Sequence, residues 1–209
     1  MIGQPAPDFT LPAVHREGEI SLADYRGKSP LLLAIFIGLY CPFCRRNIAQ
    51  LGGTQEKLRT LGVETLAVVA TELQNARLYF KHRPARVALA ADPDLVTHRA
   101  FGLPRRVVSD EYMTAVKTVP VNPTGELPEP RPLAEISAML DQADGFMRGP
   151  ADLRDIERQW PQAKGQFLID REGVIRWART ESANEPVTKL GKFPTDDELL
   201  AVAQRIGTT

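Results

Sequence analysis

The apolar run Leu31 to Ile37 ("LLLAIFI") is followed almost at once by Cys41-Pro42-Phe43-Cys44. An unbroken apolar run with no alternation is the pattern of a strand covered on both faces, as in a sheet sandwiched between helices. Pro42 has no N–H to lose and a φ already set for a first helical turn, so it marks a helix start directly after the strand. Beyond it, Cys44, Ile48, Leu51, Leu58 and Leu61 recur at helical spacings and form one apolar stripe. Gly52-Gly53 is expected to interrupt this helix with a kink, and Gly62 to stop it.

The same alternation continues down the chain. Val63 to Ala70 predicts a second buried strand, Glu72 to His82 a helix, Val87 to Ala90 a short strand and Pro93 to Phe101 a short helix. Strand and helix in turn call for a parallel core with right-handed crossovers. Near the end, "QFLID" and "VIRWA" flank "REG", a hairpin signal, and Thr195 to Glu198 has the capping-box form that opens a final amphipathic helix. The length, 209 residues, suits one domain over 1–209. About 103–163 has no place in the alternation and reads as an insertion. It carries the proline-rich "VPVNPTGELPEPRP", expected to be extended or turning, and two short helices, Leu133 to Asp144 and Ala151 to Trp160. Those helices are expected to bury Leu133, Ile136, Met139 and Leu140 on one, and Leu153, Ile156 and Trp160 on the other. The segment is expected to fold over the rim of the site.

Only two cysteines occur, both in this strand-to-helix turn. A thiolate there faces unpaired backbone N–H groups and the positive end of the helix dipole, and Arg45 and Arg46 add charge one turn on. Both effects favour the nucleophilic thiolate at Cys41. Cys44 lies on the apolar stripe and should be the more buried, less reactive thiol, close enough to pair with Cys41. Zinc would need further ligands, and His15, His82 and His98 stand in no second ligand-pair spacing; no metal and no other cofactor is expected. His82 suits a helix C-terminus, His98 a core or solvated position, and Trp160 and Trp177 packing. Zero formal net charge and a pI near 6.8 give no footprint for nucleic acid or a membrane surface. With no secretory leader visible after Met1, a cytoplasmic location is expected, where a close cysteine pair points to redox chemistry.

These residues resemble the alkyl hydroperoxide reductase C / thiol-specific antioxidant (AhpC/TSA) redoxins, the peroxiredoxin-like branch of the thioredoxin fold. "GQPAPDFTLPAV" is similar to that family's N-terminal entry, "ISLADYRGKSPLLLAIF" to its first core strand, "ALAADPDLVTHRAFGL" to its D-P…F-G segment and "GQFLIDREGVIRWA" to its closing hairpin. The resemblance implies an α/β thioredoxin-like fold, a central mixed sheet flanked by helices, with the insertion placed before the closing hairpin. Against the family's Pro-x-x-x-Thr-x-x-Cys signature, the proline position holds Ala34 and the threonine position Gly38. The family's arginine before the hairpin strand is matched by Lys164, which keeps the charge and loses the planar fork. Thioredoxin-like reductases are a rival comparison: Phe36 and Tyr40 match the aromatics of their F-x-x-x-W-C-x-x-C pattern. Their cis-proline position again falls on Lys164, and Pro161 fills it only with a shift of register.

The resemblance therefore implies an antioxidant thiol oxidoreductase. Cys41 would attack a peroxide and form a disulfide with Cys44, with Tyr40, Pro42, Arg45 and Lys164 in support. A thioredoxin- or glutathione-type external dithiol would reset the pair; a homodimer is compatible with this reading. A protein dithiol–disulfide oxidoreductase and a redox-sensing interaction module stay open as alternatives.

Overall fold

The computed structural model describes residues 1–125 and 127–206. In chain order the elements are β1 (Thr10–Pro12), β2 (Glu19–Ser21), β3 (Leu31–Phe36), α1 (Pro42–Thr60), β4 (Glu64–Val69), α2 (Leu73–His82), β5 (Ala88–Ala91) and α3 (Val96–Ala100). They continue with α4 (Asp110–Thr118), β6 (Pro120–Val121), β7 (Arg131–Pro132), α5 (Leu133–Ala143), α6 (Pro150–Gln159), β8 (Gly165–Ile169), β9 (Ile175–Thr180) and α7 (Asp196–Ile206). Five strands form a mixed sheet in the order β5-β4-β3-β8-β9. β3 lies at its centre, parallel to β4 and antiparallel to β8.

The strand period of two explains why β3 must be apolar throughout. Leu32, Ala34 and Phe36 face one layer with Ile48, Leu51 and Leu58 of α1 and Leu199 and Ala203 of α7. Leu31, Leu33 and Ile35 face the other, with Phe9, Leu11, Phe101 and Phe167. α7 starts with both halves of the expected capping box: the Thr195 N–H donates to Glu198 Oε2 at 2.8 Å and the Glu198 N–H to Thr195 Oγ1 at 3.2 Å.

Local departures from the sequence reading have physical causes. α1 runs unbroken through Gly52-Gly53. The glycine there serves packing: a Cβ at Gly52 would stand 3.3 Å from the Arg86 backbone nitrogen, so the loop before β5 lies directly on the helix. α3 begins at Val96, later than expected, because Asp92 accepts from the N–H groups of Val96 and Thr97 at 2.9 and 2.8 Å and from Thr97 Oγ1 at 2.6 Å. The segment 103–163, which the sequence suggests is an insertion, holds a further helix, α4, and the short pair β6–β7 inside the proline-rich stretch. Its ends are stitched together: the Arg106 N–H donates to Pro161 O and the Ala163 N–H to Pro104 O.

The insertion's helices bury less apolar surface than their sequences suggest. On α5, Ile136 and Leu140 are buried, Leu133 is partly packed and Met139 is exposed. On α6, Leu153 is exposed, Ile156 packs partly, and Trp160, which follows the helix, is 39% exposed; the buried residues are Asp152, Asp155 and Gln159. α6 is thus docked by polar groups.

His98 is fully buried, and neither ring nitrogen has a hydrogen-bond partner. Burial pushes its pKa down from 6.5 to about 4, against a smaller opposing pull from Asp92. The imidazole stays neutral in the fold and takes a proton on unfolding, so stability is lost as pH falls from 6.5 towards 4. The effect is on the order of 3 kcal/mol over that range. Urea unfolding at pH 7 and pH 5 should show the loss, and His98→Leu should flatten it. An equally steep fall in His98→Leu would assign the acid sensitivity to other groups.

Candidate active site

β3 ends at the sheet's centre and delivers a short loop, Ile37 to Tyr40, to the start of α1. Cys41 is the N-cap residue of that helix: its φ/ψ is extended, and its Sγ accepts from the Cys44 N–H at 3.4 Å. Pro42 occupies the first turn, where its missing N–H costs nothing. Cys41 is half-buried and Cys44 fully buried, both as free thiols. The Cys41 thiol is pulled down from 9.0 to about 7, first by the side-chain hydrogen bond from Cys44. The charge of Lys164, the Cys44 N–H and Arg45 add to this, against burial. Cys44 is pushed well up, by burial first and then by its bond to Cys41 and the charge there. The two thiols are therefore polarised in opposite directions.

Cys41 opens on a cavity of about 250 Å³. The core side supplies Tyr40, Phe43, Lys164 and Glu181; the insertion supplies Tyr112, Val116, Leu133, Ile156 and Trp160. The insertion thus borders the cysteine pair. Phe43, inside the C-P-F-C motif, anchors it by packing against Val121, Ile136 and Leu140. Arg45 does the same electrostatically. Its buried guanidinium donates to Leu39 O at 2.9 Å, Asp141 Oδ1 at 2.7 Å and Asp144 Oδ2 at 2.9 Å, and lies 3.9 Å from the Phe146 ring centroid. Arg46 adds a 2.6 Å bond to Asp144 Oδ1. Much of the charge expected to act on Cys41 is therefore committed to α5 and the turn after it.

The loop before Cys41 is held by two residues the sequence reading did not single out. Gln159 of α6 accepts from the Gly38 N–H at 2.7 Å through Oε1 and donates to Ala70 O through Nε2. Thr71 Oγ1 accepts from the Leu39 N–H at 3.1 Å. Glutamine in a surface-patterned helix carries no sequence signal for such a bond across 121 positions. The Tyr40 ring folds back over Gly38: a Cβ there would fall 2.7 Å from two ring carbons and 3.0 Å from Gln159 Oε1. The position matched to the family's threonine can hold no side chain while Tyr40 keeps this rotamer. The Tyr40 hydroxyl has no hydrogen-bond partner, and burial raises its pKa.

Lys164 immediately precedes β8, and its side chain is buried with no hydrogen-bond partner for Nζ. Its backbone N–H donates to Glu181 Oε2 at 3.1 Å, and Glu181 is paired with the Arg106 guanidinium. The Glu181 carboxylate is thus engaged by Arg106 and the Lys164 backbone, not by the Lys164 ammonium. The cis peptide bond is Trp160–Pro161, not at Lys164. Among the described residues no cluster of three or more His, Cys, Asp or Glu side chains could hold a metal, and no helix is long and apolar enough to cross a membrane.

The AhpC/TSA family model matches residues 2–130, and the chain belongs to that family. It is a thiol-dependent oxidoreductase with a thioredoxin-like fold. Among solved structures it is similar to the reduced 2-Cys peroxiredoxin of Plasmodium vivax, at 15% identity and a TM-score of 0.62, over 99% of this chain and 82% of that one. Peroxidoxin BcpB of Mycobacterium tuberculosis matches at 13% identity and 0.59, over 98% and 97%. A candidate thiol:disulfide interchange protein DsbE of Chlorobium tepidum matches at 21% identity and 0.53, over 97% and 98%. At these identities the likeness is one of fold. A search of the curated proteins found no match.

Limiting iodoacetamide at pH 7 should label Cys41 of the reduced protein well before Cys44, as peptide mapping would show. Preferential labelling of Cys44 would contradict the polarity described above.

Proposed function

We propose that the protein is a peroxiredoxin-like hydroperoxide reductase that cycles through a Cys41–Cys44 disulfide. The observation that carries this reading is the opposed polarity of the two thiols at the floor of a small, largely apolar cavity. Cys41 thiolate attacks the terminal oxygen of ROOH; the O–O bond breaks, and RO⁻ leaves and is protonated to ROH. Cys41 is left as a sulfenic acid. The Cys44 sulfur then displaces the sulfenic hydroxyl, which departs as water with the Cys44 proton. An external thiol returns the disulfide to the dithiol. Lys164 stabilises the attacking thiolate, and Tyr40 walls the cavity.

Protein dithiol–disulfide exchange is the second reading, supported by the buried Cys44 directly behind Cys41. The insertion weighs against it, because a protein disulfide would have to pass α4 and α5 to reach Cys41. Neither a threonine hydroxyl nor the family's proline is present at 38 and 34, so the peroxide oxygens lack one fixed donor. Turnover should be correspondingly slower than in enzymes that carry the full signature.

Cumene hydroperoxide consumption and insulin disulfide reduction, assayed on one preparation, separate the two readings. The proposal expects the first to dominate and to vanish in Cys41→Ser. In Cys44→Ser it expects one turnover, with a dimedone-trapped sulfenic acid on Cys41 and no further cycles. Insulin reduction with no peroxide consumption would replace the proposal with the second reading.

A further inference from the structure

A second cavity, of about 370 Å³, adjoins the first along the β8–β9 edge. Lys164 and Glu181 line both. The segment 189–192 is shared by turns: Leu190 and Gly191 face the Cys41 cavity, Lys189 and Lys192 the other. The second cavity also takes Arg179 and Glu185 in its wall. Its glutamates are engaged: Glu181 by Arg106, and Glu185 by the N–H and hydroxyl of Ser182 at 2.9 and 3.0 Å. Arg179 is paired with Glu198 at 3.2 Å. Among the described residues, Lys164, Lys189 and Lys192 have no carboxylate partner. The cavity is thus a basic pocket whose deepest cation, Lys164, is almost fully buried and unpartnered at the boundary with Cys41.

We propose that this lysine-lined cavity binds an anionic low-molecular-weight thiol, the reductant that resets the Cys41–Cys44 disulfide. The inference rests on the disulfide cycle proposed above. The oxidation state of Cys41 decides which ligand belongs there. In the dithiol form, Lys164 faces the Cys41 thiolate. Once the disulfide forms, that negative charge is gone and a buried ammonium is left without a counter-ion, which is costly. An incoming thiolate restores the charge balance, so the site favours an anion when a reductant is needed. The carboxylates of such a thiol would sit with Lys189 and Lys192, its sulfur towards Cys41.

The chemistry balances. One RS⁻ attacks Cys41 Sγ, since Cys44 is fully buried; the Cys41–Cys44 bond breaks, and the Cys44 thiolate leaves and takes a proton. A second RS⁻ attacks the outer sulfur of the Cys41–S–S–R mixed disulfide, giving RSSR and Cys41 thiolate. Two thiols are oxidised and one disulfide is reduced.

The test uses full-length protein oxidised with diamide, so that disulfide formation does not depend on any peroxide activity. Its reduction is followed by stopped flow with glutathione, which carries two carboxylates, and with uncharged 2-mercaptoethanol. Lys189→Gln/Lys192→Gln should slow glutathione about tenfold and leave 2-mercaptoethanol unchanged, as loss of local charge steering requires. Lys189→Arg/Lys192→Arg should restore the glutathione rate. An unchanged glutathione rate, or an equal fall with both thiols, would overturn the binding site while leaving the disulfide cycle intact. If diamide yields no Cys41–Cys44 disulfide, the cycle itself fails and the inference with it.

Discussion

The charge held at Cys41 depends on one meeting point: the first turn of α1 set against the buried ammonium of Lys164. The helix end supplies the Cys44 N–H, the next strand supplies the cation, and Cys44 behind supplies a hydrogen bond. The two contributions of Cys44 are local to the first helical turn, but the cation joins them only when the sheet is assembled. β3 and β8 must pair antiparallel for Lys164, one residue before β8, to arrive beside a residue that follows β3. Covering the sheet on both faces therefore does more than stabilise it; it fixes where the lysine lands. An unpaired buried lysine is costly by itself, and a thiolate is the anion that the fold provides against it.

The motif's inner residues have a second task. Phe43 and Arg45 lie within and just after C-P-F-C, yet their contacts are with the insertion: Phe43 with Val121, Ile136 and Leu140, Arg45 with Asp141, Asp144 and Phe146. Breaking one partner of a buried ion pair typically costs about 3–5 kcal/mol, so this clamp is a strong reason for the cover over Cys41 to stay in place. Gln159 closes the circuit from the other side, since it belongs to α6 and holds the backbone of Gly38. The cover and the cysteine loop are thus one hydrogen-bonded unit. In that unit the Tyr40 ring occupies the space over Gly38, and the family's threonine has no room.

Much of this was legible in the sequence, and the limits have a common cause. The run Leu31 to Ile37, the proline after Cys41 and the box at Thr195 are local signals, and each gave the element it predicts. The family resemblance rested on such segments too. What failed depends on distant partners. Gly52-Gly53 looked like a break because the loop at Arg86 that needs the small residue lies elsewhere in sequence. Leu153 and Trp160 suggest a buried face, but α6 docks through Gln159, whose partners, the Gly38 N–H and Ala70 O, no periodicity reveals. The charge of Arg45 does act on Cys41, but its second role is hidden in the sequence, because its carboxylates lie 96 and 99 positions away. α4 sits beside a proline-rich stretch with weak patterning, and its apolar residues Tyr112, Ala115 and Val116 pack on a cluster built from Ile136 and Leu140 of α5 with Val187 and Leu190, all distant in sequence.

The central claim is that Lys164, together with the helix end and Cys44, holds Cys41 as a thiolate near neutral pH. Thiolate absorbance at 240 nm, titrated in Cys44→Ser and in Cys44→Ser/Lys164→Gln, isolates the lysine's share. The account predicts a single transition for Cys41 that moves to higher pH when the lysine charge is removed. Coincident curves for the two proteins would contradict it, and the buried ammonium would then need another role.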